Sequence, residues 1–385
     1  MVDYDENLIK ITEYEVLGKL PDPFLKSDGT RVKTAAEFDE HKKEIYKTAV
    51  ELQYGTMPPK PEVLRVDTIY KGGEGRSSSY RITAGTGKQT LSFIMQVFVP
   101  KGESKMPFIV DGDGCFDYAR DKEFLNAMLE NGVGYVLFNR TELANDVPDE
   151  GRRQGPLYNI YPDYSFGAIG AWAWGYSRCV DALEIIKHEK VDLDYIAFTG
   201  HSRGAKTAML AGVLDERAKV VNPNETCAGS CGCYRIHIKA LTEDGGPWQS
   251  EKLDTLSDWY GYWLGEKMRD YAFCEEKLPF DSHFLKAMVA PRKLFVSEAA
   301  SDIWANPVGS WMTTMAAGEV YKLYGCEENL FWYFRRGYHY HTVQDISMLV
   351  NIIRNEYYGD PLSEDFYPTP FKKPELIYDW RCPEK

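Results

Sequence analysis

The stretch that most constrains the fold is Asp194-Tyr-Ile-Ala-Phe-Thr-Gly-His-Ser-Arg-Gly-Ala-Lys-Thr-Ala-Met-Leu210. Tyr195 to Phe198 is short, apolar and β-rich, as a buried strand requires. Gly200-His201-Ser202-Arg203-Gly204 fits G-x-S-x-G. Lys206 to Leu214, rich in Ala, Leu and Met, predicts a helix. A strand, a tight turn between glycines and a helix form the setting of a nucleophile elbow, which holds a serine hydroxyl at the C-terminal edge of a sheet. The helix N-terminus beside it favours developing negative charge. Ser202 is therefore the candidate nucleophile.

The chain around this stretch alternates between strand and helix. Strands are expected over 63–70, 91–99, 108–110, 134–138, 195–198, 219–221, 293–296 and 330–334, with Gly/Ser-rich turns between the first two. Helices are expected over 35–53, 122–131, 168–188, 206–214, 282–289, 312–323 and 346–357. This order predicts an α/β-hydrolase fold, a three-layer sandwich with a mostly parallel central sheet. Residues 1–61 read as a polar lead-in packed on the main domain, and residues 62–385 as the catalytic domain. A long polar excursion after the strand at 219–221 runs to Pro279.

At 385 residues the chain is long enough for one large core. A net charge of −13 argues against nucleic acid as a partner and against an anionic membrane surface. It leaves room for an acidic sugar, because cationic side chains can be concentrated locally. Abundant Trp and Tyr suit a sugar-binding cleft as well as a core. Of eight cysteines only Cys227, Cys231 and Cys233 cluster, without the spacing of a zinc site, so free thiols and no metal are expected. The first residues show no basic n-region or apolar h-region, and no run reaches membrane-spanning length. The sequence as given reads as a cytoplasmic monomer, or as a secreted one whose signal has been removed.

A hydrolase of this fold needs Ser, acid and His in that order at strand ends. The strand at 293–296 leads into Ser297-Glu-Ala-Ala-Ser-Asp-Ile-Trp304, which offers Asp302, with Glu298 as the nearer alternative. The last strand leads into Arg335-Arg-Gly-Tyr-His-Tyr-His-Thr342, which offers His339 and His341. One oxyanion donor is expected from the backbone N–H of Arg203. The loop 111–115 is the usual source of the second, and the Arg203 guanidinium is another. Lys206 lies one helical turn past Ser202, where a cation suits an acidic or polyhydroxylated substrate.

Ser202-Arg-Gly-Ala-Lys206, within G-H-S-R-x-x-K, resembles the glucuronoyl esterases of carbohydrate esterase family 15, whose pattern is G-[CH]-S-R-x-G-K. Ala205 departs from it. Further similar motifs follow in the family's order: Gly167-Ala-Ile-Gly-Ala-Trp-Ala-Trp-Gly-Tyr-Ser-Arg178, Leu278-Pro-Phe-Asp-Ser-His-Phe-Leu-Lys-Ala-Met-Val-Ala-Pro-Arg292, Asp302-Ile-Trp304 with Asn306-Pro-Val-Gly309, and Arg335-Arg-Gly-Tyr-His339 with Asp345 beyond. The last two resemble bacterial members and favour His339; the fungal G-x-H-x-H would favour His341. His201 and Thr342 stand where fungal members carry cysteines, so that disulfide is not expected. The resemblance implies a second acid at Glu225, ahead of Tyr234-Arg235. It also implies a serine esterase without cofactor, acting on esters of (4-O-methyl-)glucuronic acid between xylan and lignin alcohols. Lys206 and Glu243 would then bond sugar hydroxyls and Trp304 would pack on the ring, with Trp248 and Trp263 as further candidates. An acetylxylan-type esterase and a catalytically silent carbohydrate-binding homologue are the alternatives.

Overall fold

The computed structural model describes residues 3–4, 7–73, 76–102, 104–366, 369, 371–373 and 375–384. Its centre is a nine-stranded sheet. From one edge to the other the strands are Leu330–Arg335, Lys293–Ala299, Ala218–Asn224, Val191–His201, Met106–Asp111, Gly134–Phe138, Thr90–Phe98, Ser77–Gly85 and Val63–Gly72. The first six are parallel. The last three add on antiparallel. Period-two alternation divides the core between the two faces. Ile109, Ala197, Val220 and Phe295 pack under helices Lys122–Leu129 and Val343–Tyr358. Val110, Phe198, Val221 and Val296 pack on the other side, in the core shared with helices Ala168–Ile186, Arg203–Leu214, His283–Val289 and Pro307–Tyr324. Strands covered on both faces are the near-continuous apolar runs of the sequence. This is the α/β-hydrolase sandwich.

Two stretches differ from expectation. The Gly/Ser-rich segment read as turn contains the strand Ser77–Gly85, with Ser78, Tyr80, Ile82 and Ala84 buried in alternation. Its serines hide the period from a hydropathy reading. The helix over 312–323 begins earlier, at Pro307, where Asn306 caps it by accepting the Gly309 N–H at 2.9 Å. Proline at the first helical position is pre-set for that conformation. The polar excursion is partly ordered by the lead-in. Ile236–Leu241 pairs antiparallel with Lys10–Val16 on one side and with Pro247–Gln249 on the other. Helix Ala35–Ile45 continues through a π-helical turn, Tyr46–Glu51, into Leu52–Tyr54. From there Gln53 and Tyr54 both donate to the Gly229 carbonyl, at 3.2 and 2.7 Å. Among the described residues no helix is long and apolar enough to cross a membrane.

Candidate active site

Ser202 ends the strand Val191–His201 and caps helix Arg203–Leu214 with φ 59° and ψ −120°. A non-glycine residue held there stores roughly 1–3 kcal/mol of strain. Two glycines permit the turn. A Cβ at Gly200 would strike the Gly204 carbonyl, and one at Gly204 would strike the Asp113 carboxylate. Ala205, where the chain departs from the family pattern, is fully buried in the first turn of the helix. The Ser202 N–H donates to Asn224 O at 3.0 Å, and the His201 N–H donates to Asp113 Oδ2 at 2.7 Å.

Three strand ends bring the acid–base groups together. His339, half-buried, has its Nδ1 2.6 Å from Asp302 Oδ2 and 3.5 Å from Glu225 Oε2. With Nδ1–H directed at the carboxylates, Nε2 is the basic nitrogen. Glu225 follows strand Ala218–Asn224 and is fully buried at a φ of 52°. It accepts from Arg335 Nη2 at 2.6 Å and from the Tyr340 N–H at 2.9 Å. Burial first, and Asp302 next, push its carboxyl up, while Arg335 pulls it down. Arg335 is itself gripped by Asp345 at 2.8 and 3.0 Å, and Asp345 closes the capping box of helix Val343–Tyr358. The alternatives fall elsewhere. Glu298 is buried outside the cavity lining, and burial raises its carboxyl to about 8. His341 packs against Tyr118 and Phe124, ring centroids 5.0 Å away in each case, and burial lowers it to about 4. The buried His201 ring lies 4.4 Å from that of His339 with its Nδ1 bonded to Asn224 Oδ1; burial and the two neighbouring histidines hold it neutral.

Ser202, His339, Asp302, Arg203, Lys206 and Trp304 all line one cavity of about 550 Å³. Its wall is aromatic. Trp304 stacks on Trp259 at 5.8 Å and 13°, with Trp248 6.4 Å away. Lys206 is buried and donates to Glu251 Oε2 at 2.9 Å and to the Ala228 carbonyl. Glu243, expected beside Lys206, is exposed and absent from the lining; its carboxylate accepts the Gly337 N–H at 2.9 Å. The carboxylate that lines the cavity beside Lys206 is Glu251. Strand Pro247–Gln249 folds the chain back and brings Glu251 inward, which residue spacing alone does not reveal. Trp263 lines the cavity under the Arg203 guanidinium, 4.7 Å from its ring centroid.

In the loop 111–115 the N–H groups of Gly112, Asp113 and Gly114 bond to Tyr176 Oη, Asp111 Oδ1 and Phe138 O. The Arg203 side chain lies in the cavity wall with Ser202. His201, Glu225 and His339 have ligand atoms within 4.8 Å of one another, as a metal would need. Both Glu225 oxygens and His201 Nδ1 already have partners, so the set fits an acid–base relay better than an ion.

Residues 82–325 match the family model described as glucuronyl esterase, fungi. The chain is 30% identical over 317 residues to a 4-O-methyl-glucuronoyl methylesterase from Neurospora crassa, covering 82% of this chain and 75% of that one. It is 29% identical over 316 residues to the one from Cerrena unicolor, covering 81% of this chain and 63% of that one. Among solved structures it is similar to a carbohydrate esterase family 15 glucuronoyl esterase from Caldicellulosiruptor kristjansonii, with a TM-score of 0.80, 26% identity, and coverage of 94% of this chain and 97% of that one.

Proposed function

Because the chain belongs to the glucuronoyl esterase family, we propose that it hydrolyses esters of (4-O-methyl-)glucuronic acid borne on a glycan such as glucuronoxylan, through an acyl-enzyme on Ser202. The observation that carries this reading is His339, bonded to Asp302 at 2.6 Å, in one aromatic cavity with Ser202. His339 Nε2 takes the Ser202 proton as the hydroxyl attacks the uronoyl carbonyl. The tetrahedral oxyanion is held by the Arg203 backbone N–H and guanidinium. Collapse breaks the ester bond, and His339 gives its proton to the leaving alcohol. Water, deprotonated by His339, then attacks the acyl-enzyme and frees the uronic acid and Ser202. Asp302, with Glu225 behind it, stabilises the imidazolium in both halves. Lys206 and Glu251 present a fixed donor and acceptor to sugar hydroxyls, and Trp304 packs on the ring.

The competing reading is an acetate esterase with the same triad. Rates on a methyl glucuronate ester and on an acetylated sugar separate the two. Lys206→Met is paired with Glu251→Gln in this test, because removing one member of a buried ion pair costs about 3–5 kcal/mol. The double variant is expected to lose at least tenfold in kcat/KM on the uronate and to keep its slow acetate rate. A wild-type preference for acetate, or equal loss on both esters, contradicts the proposal.

A further inference from the structure

The Arg203 guanidinium lies over two rings, 4.7 Å from the centroid of Trp263 and 5.2 Å from that of Tyr260. Cation–π contact keeps the group near these rings but does not direct its N–H groups. Their direction is set by Asp146, whose Oδ2 is 3.1 Å from Arg203 Nη1. Asp146 is anchored on its other oxygen, where Oδ1 accepts from Tyr262 Oη at 2.7 Å and from Trp263 Nε1 at 3.0 Å. Behind it stands Arg140, with Nη2 3.9 Å from Asp146 Oδ2. Arg140 is fully buried between Phe116 and Trp172 and pairs with the equally buried Asp113. Asp113 accepts the His201 N–H of the elbow. A single line of charged contacts, Asp113, Arg140, Asp146, Arg203, therefore ties the backbone that carries Ser202 to the guanidinium beside it. Nη1 is bonded to Asp146 and Nε is buried without a hydrogen-bond partner among the described residues, while the part-exposed side chain lines the cavity.

We infer that Asp146 is a positioning residue for the reaction. It holds the Arg203 guanidinium in register with Ser202, so that the donor is in place before charge develops on the carbonyl oxygen. The inference rests on the oxyanion role given to Arg203 above. A preset donor needs no reorganisation at the moment of reaction, and a misplacement of about 1 Å can cost about 100-fold.

The test is a double-mutant cycle on the full chain with a methyl glucuronate ester. Asp146→Asn should lower kcat by about 100-fold and leave KM within about twofold. In an Arg203→Met background the same change should cost less than about twofold, because the group it positions is gone. A kcat for Asp146→Asn within about twofold of wild type overturns the inference, and so does an equal loss in both backgrounds, the mark of a structural role. If Arg203→Met itself keeps the wild-type kcat, the oxyanion reading falls and the positioning role falls with it. Tyr262→Phe carries the test should Asp146→Asn fail to fold, since it removes one bond that fixes Asp146 from a residue outside the cavity lining. Its expected loss in kcat is about threefold to tenfold at unchanged KM, abolished in the Arg203→Met background; an unchanged kcat overturns the inference.

Discussion

Asp302 and Glu225 approach one imidazole nitrogen from two different strand ends, at 2.6 and 3.5 Å. A second carboxylate this close can take over part of the work of the first. Asp302→Ala should therefore cost about 10- to 100-fold in kcat rather than the ~10⁴-fold loss of a sole acid. Adding Glu225→Gln should bring the loss to the sole-acid level, and kcat on a glucuronate ester measures both. A single variant as inactive as the double would show that Glu225 carries no share. Much of this site was legible at residue level, because Ser202, Asp302 and His339 each follow a strand whose pattern is clear. The choice between His339 and His341 was not legible from spacing, since the two share one loop. Burial of His341 under Tyr118 and Phe124 separates them, and that is a tertiary fact. Glu251 was missed for a similar reason: its approach to Lys206 depends on the short strand Pro247–Gln249, in a region without periodicity.

The elbow illustrates how an element stores cost for a site. Ser202 sits at φ 59°, between the buried C-terminal half of a strand and a largely buried helix. Glycine adopts such a conformation freely, although it gains more freedom in the unfolded chain. Ser202→Gly should therefore abolish ester hydrolysis and raise stability by about 1 kcal/mol, read as a higher urea midpoint at an unchanged slope. A midpoint at or below that of wild type would contradict the strain account. Strand, turn and helix were readable here because glycines, apolar run and alanine-rich helix agree. Ser77–Gly85 was not readable, because half of its inward positions are small or polar. The pairing of Lys10–Val16 with Ile236–Leu241 joins segments more than two hundred residues apart, and neither carries a signal for the other.

Across the whole molecule, the buried groups that the fold keeps neutral couple stability to pH. His341 titrates near 4 in the folded chain against 6.5 for an ordinary histidine. Between these values the unfolded chain binds the extra proton, so stability falls as pH drops from 6.5 toward 4, by up to about 3 kcal/mol for this group. His341→Leu should remove that part of the decline. Urea unfolding at pH 7 and at pH 4.5 should show a smaller acid loss in the variant than in wild type, and equal losses would contradict the assignment. The same burial that makes His341 a stability group removes it from catalysis, which leads to the most direct test of the account. Alcohol release from benzyl glucuronate should be measured for wild type, Ser202→Ala, His339→Ala and His341→Leu. The account predicts losses of at least ~10⁴-fold for Ser202→Ala and His339→Ala, with His341→Leu within about tenfold of wild type. Wild-type release by Ser202→Ala, or inactivity confined to His341→Leu, would contradict it.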